Sequence, residues 1–408
     1  MAEVRDFASY AEKVNNGNYS QRSSEDEPSY KEKIRNHKLA VLFRTAGIAL
    51  VVVLLVALIY LSWRDKEYSE ALLENEAPIT NGLDSKVLGL GGHVIQYSKD
   101  GVSCINPSGQ VLWNQTYEMQ NPIARTCGSV VAVGDYNGHN IYVNNTSGSM
   151  GVIDTNLPIR DFCVSSQGVV AVVLDGTDVT WIYLYDAQGN TIANFKTTMK
   201  DSGYPIDISI SPNAELVCVS YLYPDEGALK TSVAFFNFGS VGQNSIDNYA
   251  SGYEYPGVVV PYVQFMNTSS CFAVSDDRVM FYTGDQKPVS QADYFTGEEQ
   301  IKSVFNSESY VGLVFPNSTT DGAYRLQVYN DKGESVLTTY FDMECSEIIF
   351  NNKQIIIYNE DECLIMDMNG HVKYHDKFEV PVRTMVPTGV RSKFTLVTAN
   401  SVVTMNLK

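Results

Sequence analysis

The chain is 408 residues long, 44% apolar and rich in Tyr (26) and Phe (17), enough for a large core of strands, where aromatic side chains fit the half-buried pleated surface. Its charge is uneven: residues 1–63 hold 8 Lys and Arg against 7 Asp and Glu, and the rest hold 21 against 40. So acidic a segment repels phosphate backbones, whose binding needs Lys and Arg to neutralise charge, which argues against nucleic acid, anionic lipid and anionic wall polymers as partners.

In chain order, residues 1–38 read as a polar, disordered tail on the cytoplasmic side, with Asn15-Asn16-Gly17-Asn18 and Ser23-Ser24-Glu25-Asp26-Glu27-Pro28 having linker composition. Within it Val4, Phe7, Ala8, Ala11 and Val14 fall at helical spacing, a stripe suited to a cytoplasmic protein partner. Its charges are balanced, unlike those of a helix lying on lipid; the bland alternative is an accidental pattern in a loose tail. From Thr45 to Trp63 no residue is charged. That length makes roughly 28 Å of helix, close to the hydrocarbon thickness of a bilayer, so a single transmembrane helix is expected over 39–63, with Tyr60 and Trp63 at one interface. Trp63-Arg64-Asp65-Lys66 follows instead of a small-residue cleavage site, which reads as an anchor and not a signal. Lys31, Lys33, Arg35, Lys38 and Arg44 precede the apolar run, whereas Arg64 and Lys66 follow it among Asp65, Glu67 and Glu70. By the positive-inside rule the tail is cytoplasmic and everything after Trp63 is extracytoplasmic in a single-pass protein of the cell membrane.

Residues 64–83 read as a charged stalk, with helix-forming Glu70-Ala71-Leu72-Leu73-Glu74 and a stop at Pro78. Beyond it one pattern recurs: Cys104-Ile105-Asn106-Pro107-Ser108-Gly109-Gln110-Val111-Leu112-Trp113, an apolar run, a polar turn with Gly, and a second apolar run. Looser copies are centred on Asn144, Asp186, Asn237, Thr283, Asn330 and Asp367, at intervals of 37 to 51 residues. Strand-and-turn periods of this length mark propeller blades. Four runs per period, with Ser165-Ser166-Gln167-Gly168, Asp175-Gly176-Thr177-Asp178 and Asp186-Ala187-Gln188-Gly189 as turns, make one four-stranded antiparallel blade. An all-β propeller of eight blades is therefore expected over 84–408, with seven as the alternative. The last period is one strand short, and a ring must close to remove its sheet edges, so a segment within 70–83 is expected to supply the missing strand. Tyr221–Gly227 and Gly242–Pro256 read as long loop insertions in the fourth blade.

The turn Asn106–Gln110 with Trp113 four residues after Gly109 resembles the repeats of quinoprotein-type propellers (PQQ-like and WD40-like), a superfamily of dehydrogenases and envelope-assembly scaffolds. Trp113 has a partial echo in Tyr374 after Gly370; the other copies lack it. The whole plan of tail, single helix and divergent propeller is similar to uncharacterised membrane-anchored propeller proteins of clostridial bacteria. No function comes with that resemblance.

The seven cysteines each sit in an apolar run without a Cys-x-x-Cys pair, as buried small hydrophobes do. Asp135, Asp276-Asp277 and Glu360-Asp361-Glu362 fall at expected turns, and His371 and His375 lie about 13 Å apart if on one strand, too far for one metal. Nucleophile, zinc-protease and phosphate-loop motifs are lacking. The expectation is thus no catalytic residue, no cofactor and no metal site: a non-catalytic scaffold binding a protein or glycan at the cell envelope. Tyr221, Tyr223, Tyr249, Tyr253 and Tyr255, in the insertions, are the candidate partner-binding residues, because Tyr gives large contact area at low rotamer cost. The alternatives are a ligand sensor signalling through the Val4–Val14 stripe, and an enzyme, which would cluster Asp, Glu or Arg around a pocket at the ring's centre.

Overall fold

The computed structural model describes residues 30–64, 67–79, 84–198, 202–225, 227–244, 246–297 and 299–408. Two units are defined, 1–66 and 67–408. The first contains helix α1 (Tyr30–Arg64), in which His37–Leu58 has a mean hydropathy of 2.6 and is long and apolar enough to cross a membrane. The helix starts earlier than expected, so residues 30–38 continue it instead of belonging to an irregular tail. The residues Val4, Phe7, Ala8, Ala11 and Val14 lie outside the described residues, as do the side chains of Tyr60 and Trp63.

The second unit is an eight-bladed propeller of four-stranded antiparallel sheets. Seven blades are continuous in sequence, spanning 86–116, 122–154, 159–197, 204–256, 262–295, 303–341 and 347–377. In the eighth, Thr384–Pro387, Lys393–Val397 and Ser401–Leu407 are joined by Ala71–Pro78, which runs antiparallel to the last of them from Ala71↔Leu407 to Pro78↔Ser401. The strand Ala71–Pro78 takes up most of the helix expected at Glu70–Glu74: a local preference of a few tenths of a kcal/mol per residue yields to a ladder that pairs with Ser401–Leu407 and gives the last blade its fourth, outermost strand. The ring closes where the innermost strand of blade 8, Thr384–Pro387, adjoins that of blade 1, Lys86–Leu90.

Second strands such as Val130–Asp135, Ser270–Val274 and Gln354–Tyr358 are buried almost throughout, because both faces are covered by neighbouring blades. The core is accordingly a series of clusters between blades, for instance Val130, Ile141 and Ile153 of blade 2 against Phe162, Val170 and Val172 of blade 3.

The recurrent turn has a structural reason. Asn106 Oδ1 accepts the N–H groups of Ser108 and Gln110; Asp186, Asn330 and Asp367 repeat this with the residues two and four further on. The turn glycines Gly109, Gly189, Gly333 and Gly370 all have φ near +80°, a conformation an L side chain enters at a cost. Each also faces the preceding blade: an added Cβ would lie 2.3 Å from Ala77 Cβ at Gly109 and 3.1 Å from the Val152 carbonyl at Gly189. The turn that reveals the period is thus the point at which one blade rests on the next.

Blade 4 corrects the reading of its insertions as loops. Leu216–Asp225 and Ala228–Asn237 are strands of 10 residues each, paired without a break from Leu216↔Asn237 to Asp225↔Ala228. Equivalent second strands elsewhere have 5 to 7 residues, so this hairpin reaches beyond its neighbours. Part of the second insertion is the short turns Gly242–Asn244 and Ile246–Asn248, and the rest is the outer strand Tyr249–Pro256.

Candidate functional site

The register of blade 4 decides where the five candidate tyrosines go. Tyr221 is 3% exposed in the core between blades 3 and 4, with its hydroxyl unpartnered among the described residues. Tyr253 and Tyr255 pack on blade 5: the Tyr253 hydroxyl donates to the Pro288 carbonyl (3.0 Å) and accepts the Ser290 N–H, and Tyr255 and Tyr282 share a 2.6 Å hydroxyl contact. Tyr223 sits on the projecting hairpin, where Lys230 lies 5.3 Å from its ring centre and Glu254 accepts its hydroxyl at 3.3 Å. Tyr249 is 50% exposed, but it pairs with Phe236 at the other end of the sheet, whereas Tyr223 pairs with Lys230. Three of the five therefore hold the fold, and the two that reach solvent lie at opposite ends of the blade.

The inner strands bring together residues that sequence reasoning missed. The Arg125 guanidinium of blade 2 donates to Asp161 Oδ1 of blade 3 at 3.0 Å. Asp207 of blade 4 accepts the Val263 N–H of blade 5 at 2.6 Å, and Ser209 Oγ accepts the Phe265 N–H at 2.9 Å. The Tyr262 hydroxyl donates to Asn306 Oδ1 of blade 6 (3.5 Å), and Arg383 of blade 8 donates to the Ser85 carbonyl beside blade 1. Burial raises the Asp207 carboxyl to about 7, with Asp161 adding to the rise and the Val263 N–H and Arg125 opposing it. A cluster of Arg and Asp at the ring's centre is the feature an enzyme would show; here Arg125 pairs with Asp161 and Asp207 holds the inner-strand edge of blade 5. The signal was present in sequence: Ala124-Arg125-Thr126, Phe162 preceded by Asp161, and Ile206-Asp207-Ile208 each set a charge inside the first apolar run of a blade.

Other sequence candidates have local partners. Asp135 accepts the N–H groups of Gln120 and Asn121, Asp277 pairs with Arg278, His371 faces Asp367 and His375 faces Glu362. Among the described residues no three His, Cys, Asp or Glu side chains are grouped to hold a metal ion. The seven cysteines are unbridged, and burial pushes thiols such as those of Cys104 (to about 11), Cys127 and Cys345 up, away from thiolate chemistry.

Closed ring, inter-blade turns and inner-strand latches define an eight-bladed β-propeller. Residues 64–407 place the chain in a family described as Family of unknown function (DUF5711), to which it belongs. No curated protein matches the sequence. Among solved structures, the C-terminal WD40 domain of Sif2 is similar with a TM-score of 0.54 at 10% identity, over 83% of this chain and 99% of that one. Chaetomium thermophilum Sqt1, bound to the N-terminus of the ribosomal protein L10, gives 0.51 at 11%, over 81% and 98%. BamB from Moraxella catarrhalis gives 0.48 at 12%, over 82% and 100%. At such identities the likeness is one of fold.

Proposed function

We propose that this protein is a single-pass membrane protein whose propeller lies outside the cell and serves, without catalysis of its own, as a scaffold that binds another protein or a glycan. The observation that carries this reading is the hairpin Leu216–Asn237, whose ladder of ten pairs is longer than the seven pairs of Tyr310–Asn330 in blade 6. A projecting element on a rigid support is where recognition is commonly placed. Its tip offers a half-exposed Leu229 and the ring of Tyr223, while Lys230 is only 14% exposed and paired with the exposed Glu254 at 2.6 Å; aromatic residues are enriched in contact surfaces. Sqt1 is a propeller that holds a segment of another protein, an analogy of fold only. The anchor rests on α1, and its orientation on the basic residues from Lys31 to Arg44.

The test is site-specific photo-crosslinking in cells from position 223 of the full chain, beside co-purification of partners with the full chain and with a variant in which residues 223–230 are replaced by a two-residue turn. A discrete crosslinked partner that no longer co-purifies with the shortened variant supports the reading. Identical partners with and without the hairpin would remove it.

A further inference from the structure

The face bearing the hairpins between second and third strands, and the links between blades, carries a cleft between blades 1 and 2. Its volume is about 500 Å³, within the range of small-ligand sites. Blade 1 contributes Lys86, Tyr97 and Lys99, with Asp84 just before it; blade 2 and its entry contribute Gln120, Asn121, Tyr136 and Asn137. From these residues we propose that the cleft binds a short oligosaccharide carrying a carboxylate, its ring face on Tyr136 and its acid between Lys86 and Lys99. This names a ligand class for the glycan arm of the scaffold reading and rests on it.

Three observations lead there. The first is rigidity. Asp135 clamps the backbone of Gln120 (3.1 Å) and Asn121 (2.7 Å), and the Tyr136 N–H donates back to the Asn121 carbonyl at 3.0 Å. Arg160 donates to the Tyr136 hydroxyl (3.3 Å) and to Asn137 Oδ1 (2.5 Å), and is itself tied to Asp175. A wall held this firmly loses little freedom when it binds. The second is chemistry: Tyr136 is 38% exposed, with Arg160 5.7 Å from its ring centre, Tyr97 is nearly buried with Lys86 6.0 Å from its ring centre, and Gln120 and Asn121, both exposed, line the same cleft. Aromatic and apolar groups, Tyr136, Pro122 and Ile123, with amides beside them suit a sugar, which has an apolar face and a hydroxyl edge.

The third is charge. Lys86 and Lys99 form no ion pair among the described residues, and only Asp84 opposes them in the lining. Charges beyond a Debye length of about 8 Å are screened at physiological salt, so the cleft attracts an anion although the protein beyond residue 63 carries 40 acidic against 21 basic residues. A long polyanion would leave the cleft and meet that acidic surface. The site therefore selects short acidic sugars over anionic polymers.

The experiment uses the full chain in nanodiscs, titrated with trigalacturonate and followed by calorimetry, with neutral galactotriose and a triglutamate peptide as comparison probes. Trigalacturonate is expected to bind about tenfold more tightly than either, and Lys86→Gln with Lys99→Gln is expected to remove about that factor, equivalent to one charge-assisted contact of roughly 1.4 kcal/mol. Tyr136→Ala is expected to weaken binding about fivefold, and Tyr136→Phe to leave it within about twofold, since the ring face is what the sugar meets. An unchanged melting temperature in each variant shows that the blades are intact. Absence of trigalacturonate binding, indifference to these substitutions, or equal binding of triglutamate would overturn the proposal. The crosslinking result at the blade 4 hairpin is independent of all three, so a failed cleft and a failed scaffold are told apart.

Discussion

Asp207 is a carboxylate placed where its charge is costly, held by the Val263 N–H and flanked by Asp161 and Arg125. Its carboxyl titrates near 7 in the fold against about 3.9 in an unfolded chain. Between those values the folded protein binds more protons than the unfolded one, so this group makes stability fall as pH rises from about 4 to 7, and the loss is complete above that window. Asp207→Asn keeps an oxygen for Val263 and removes the charge. It is expected to raise stability by about 1–2 kcal/mol at pH 8, a fraction of the full linkage because part of the side chain still meets channel solvent, and by close to nothing at pH 4. Thermal melts of both proteins across pH 4 to 8 check this; a gain independent of pH would assign the effect to packing. Glycine gives a second case at this scale. Gly189 and Gly227 have almost the same φ, +87° and +89°, but only Gly189 abuts a neighbouring blade. Gly227→Ala should cost about 1 kcal/mol for its backbone alone and Gly189→Ala about 2 or more, the difference being the contact with Val152. Equal losses in urea titrations would deny the turn its role as an inter-blade rest.

Among elements, the strand Ala71–Pro78 carries the most consequence for its length. It covers the edge of Ser401–Leu407 and, through Ala77, receives the turn glycine of blade 1. A chain beginning at Asn81 should lose both contacts and expose an unpaired edge. Its expected behaviour is a melting temperature lower by about 10 °C or more and a tendency to associate, both reversed by a synthetic peptide of residues 67–79 added in excess. Full stability without the peptide would mean that the ring does not need this closure. The same strand shows what was legible beforehand. The number of periods and the shortfall of the last one pointed to a strand from this region, because edge satisfaction is a property of the whole sheet. The local composition of Glu70–Glu74 pointed to helix, because propensity knows nothing of Leu407 or Asn406 across the ladder. Blade 4 misled in the same way. Tyr223-Pro224-Asp225 has turn composition, but Lys230, Leu229 and Ala228 lie opposite and continue the pairing. Tyr221 and Tyr223 are two residues apart and share a face of the strand, so what separates the buried ring from the one near the tip is how far each lies along a hairpin that outruns its neighbours. The inner-strand charges were visible only as interruptions in apolar runs, since the groups that satisfy them, such as the Val263 N–H for Asp207, lie on the next blade.

For the molecule as a whole, charge and helix together support the proposed orientation, which can be measured. The segment before the apolar run of α1 is close to neutral overall yet has five basic residues within the 14 positions from Lys31 to Arg44, while the protein beyond residue 63 carries 40 acidic against 21 basic residues. Retention of Lys and Arg on the cytoplasmic side sets topology, with acidic residues contributing little. The native cysteines help the test, because all seven fall between Cys104 and Cys363 and each is buried or half-buried. A membrane-impermeant maleimide should therefore label the native chain weakly in intact cells. Adding Asp178→Cys, on an exposed turn of blade 3, should give strong labelling of intact cells, whereas Ser23→Cys should label only after the membrane is opened. The reverse pattern would put the propeller inside the cell and would also move the acidic-sugar cleft away from envelope glycans. Arg35→Glu with Lys38→Glu sharpens the point: if these residues hold the orientation, a fraction of the Ser23→Cys signal becomes accessible without permeabilisation, and if the folded ring decides it, that signal stays hidden.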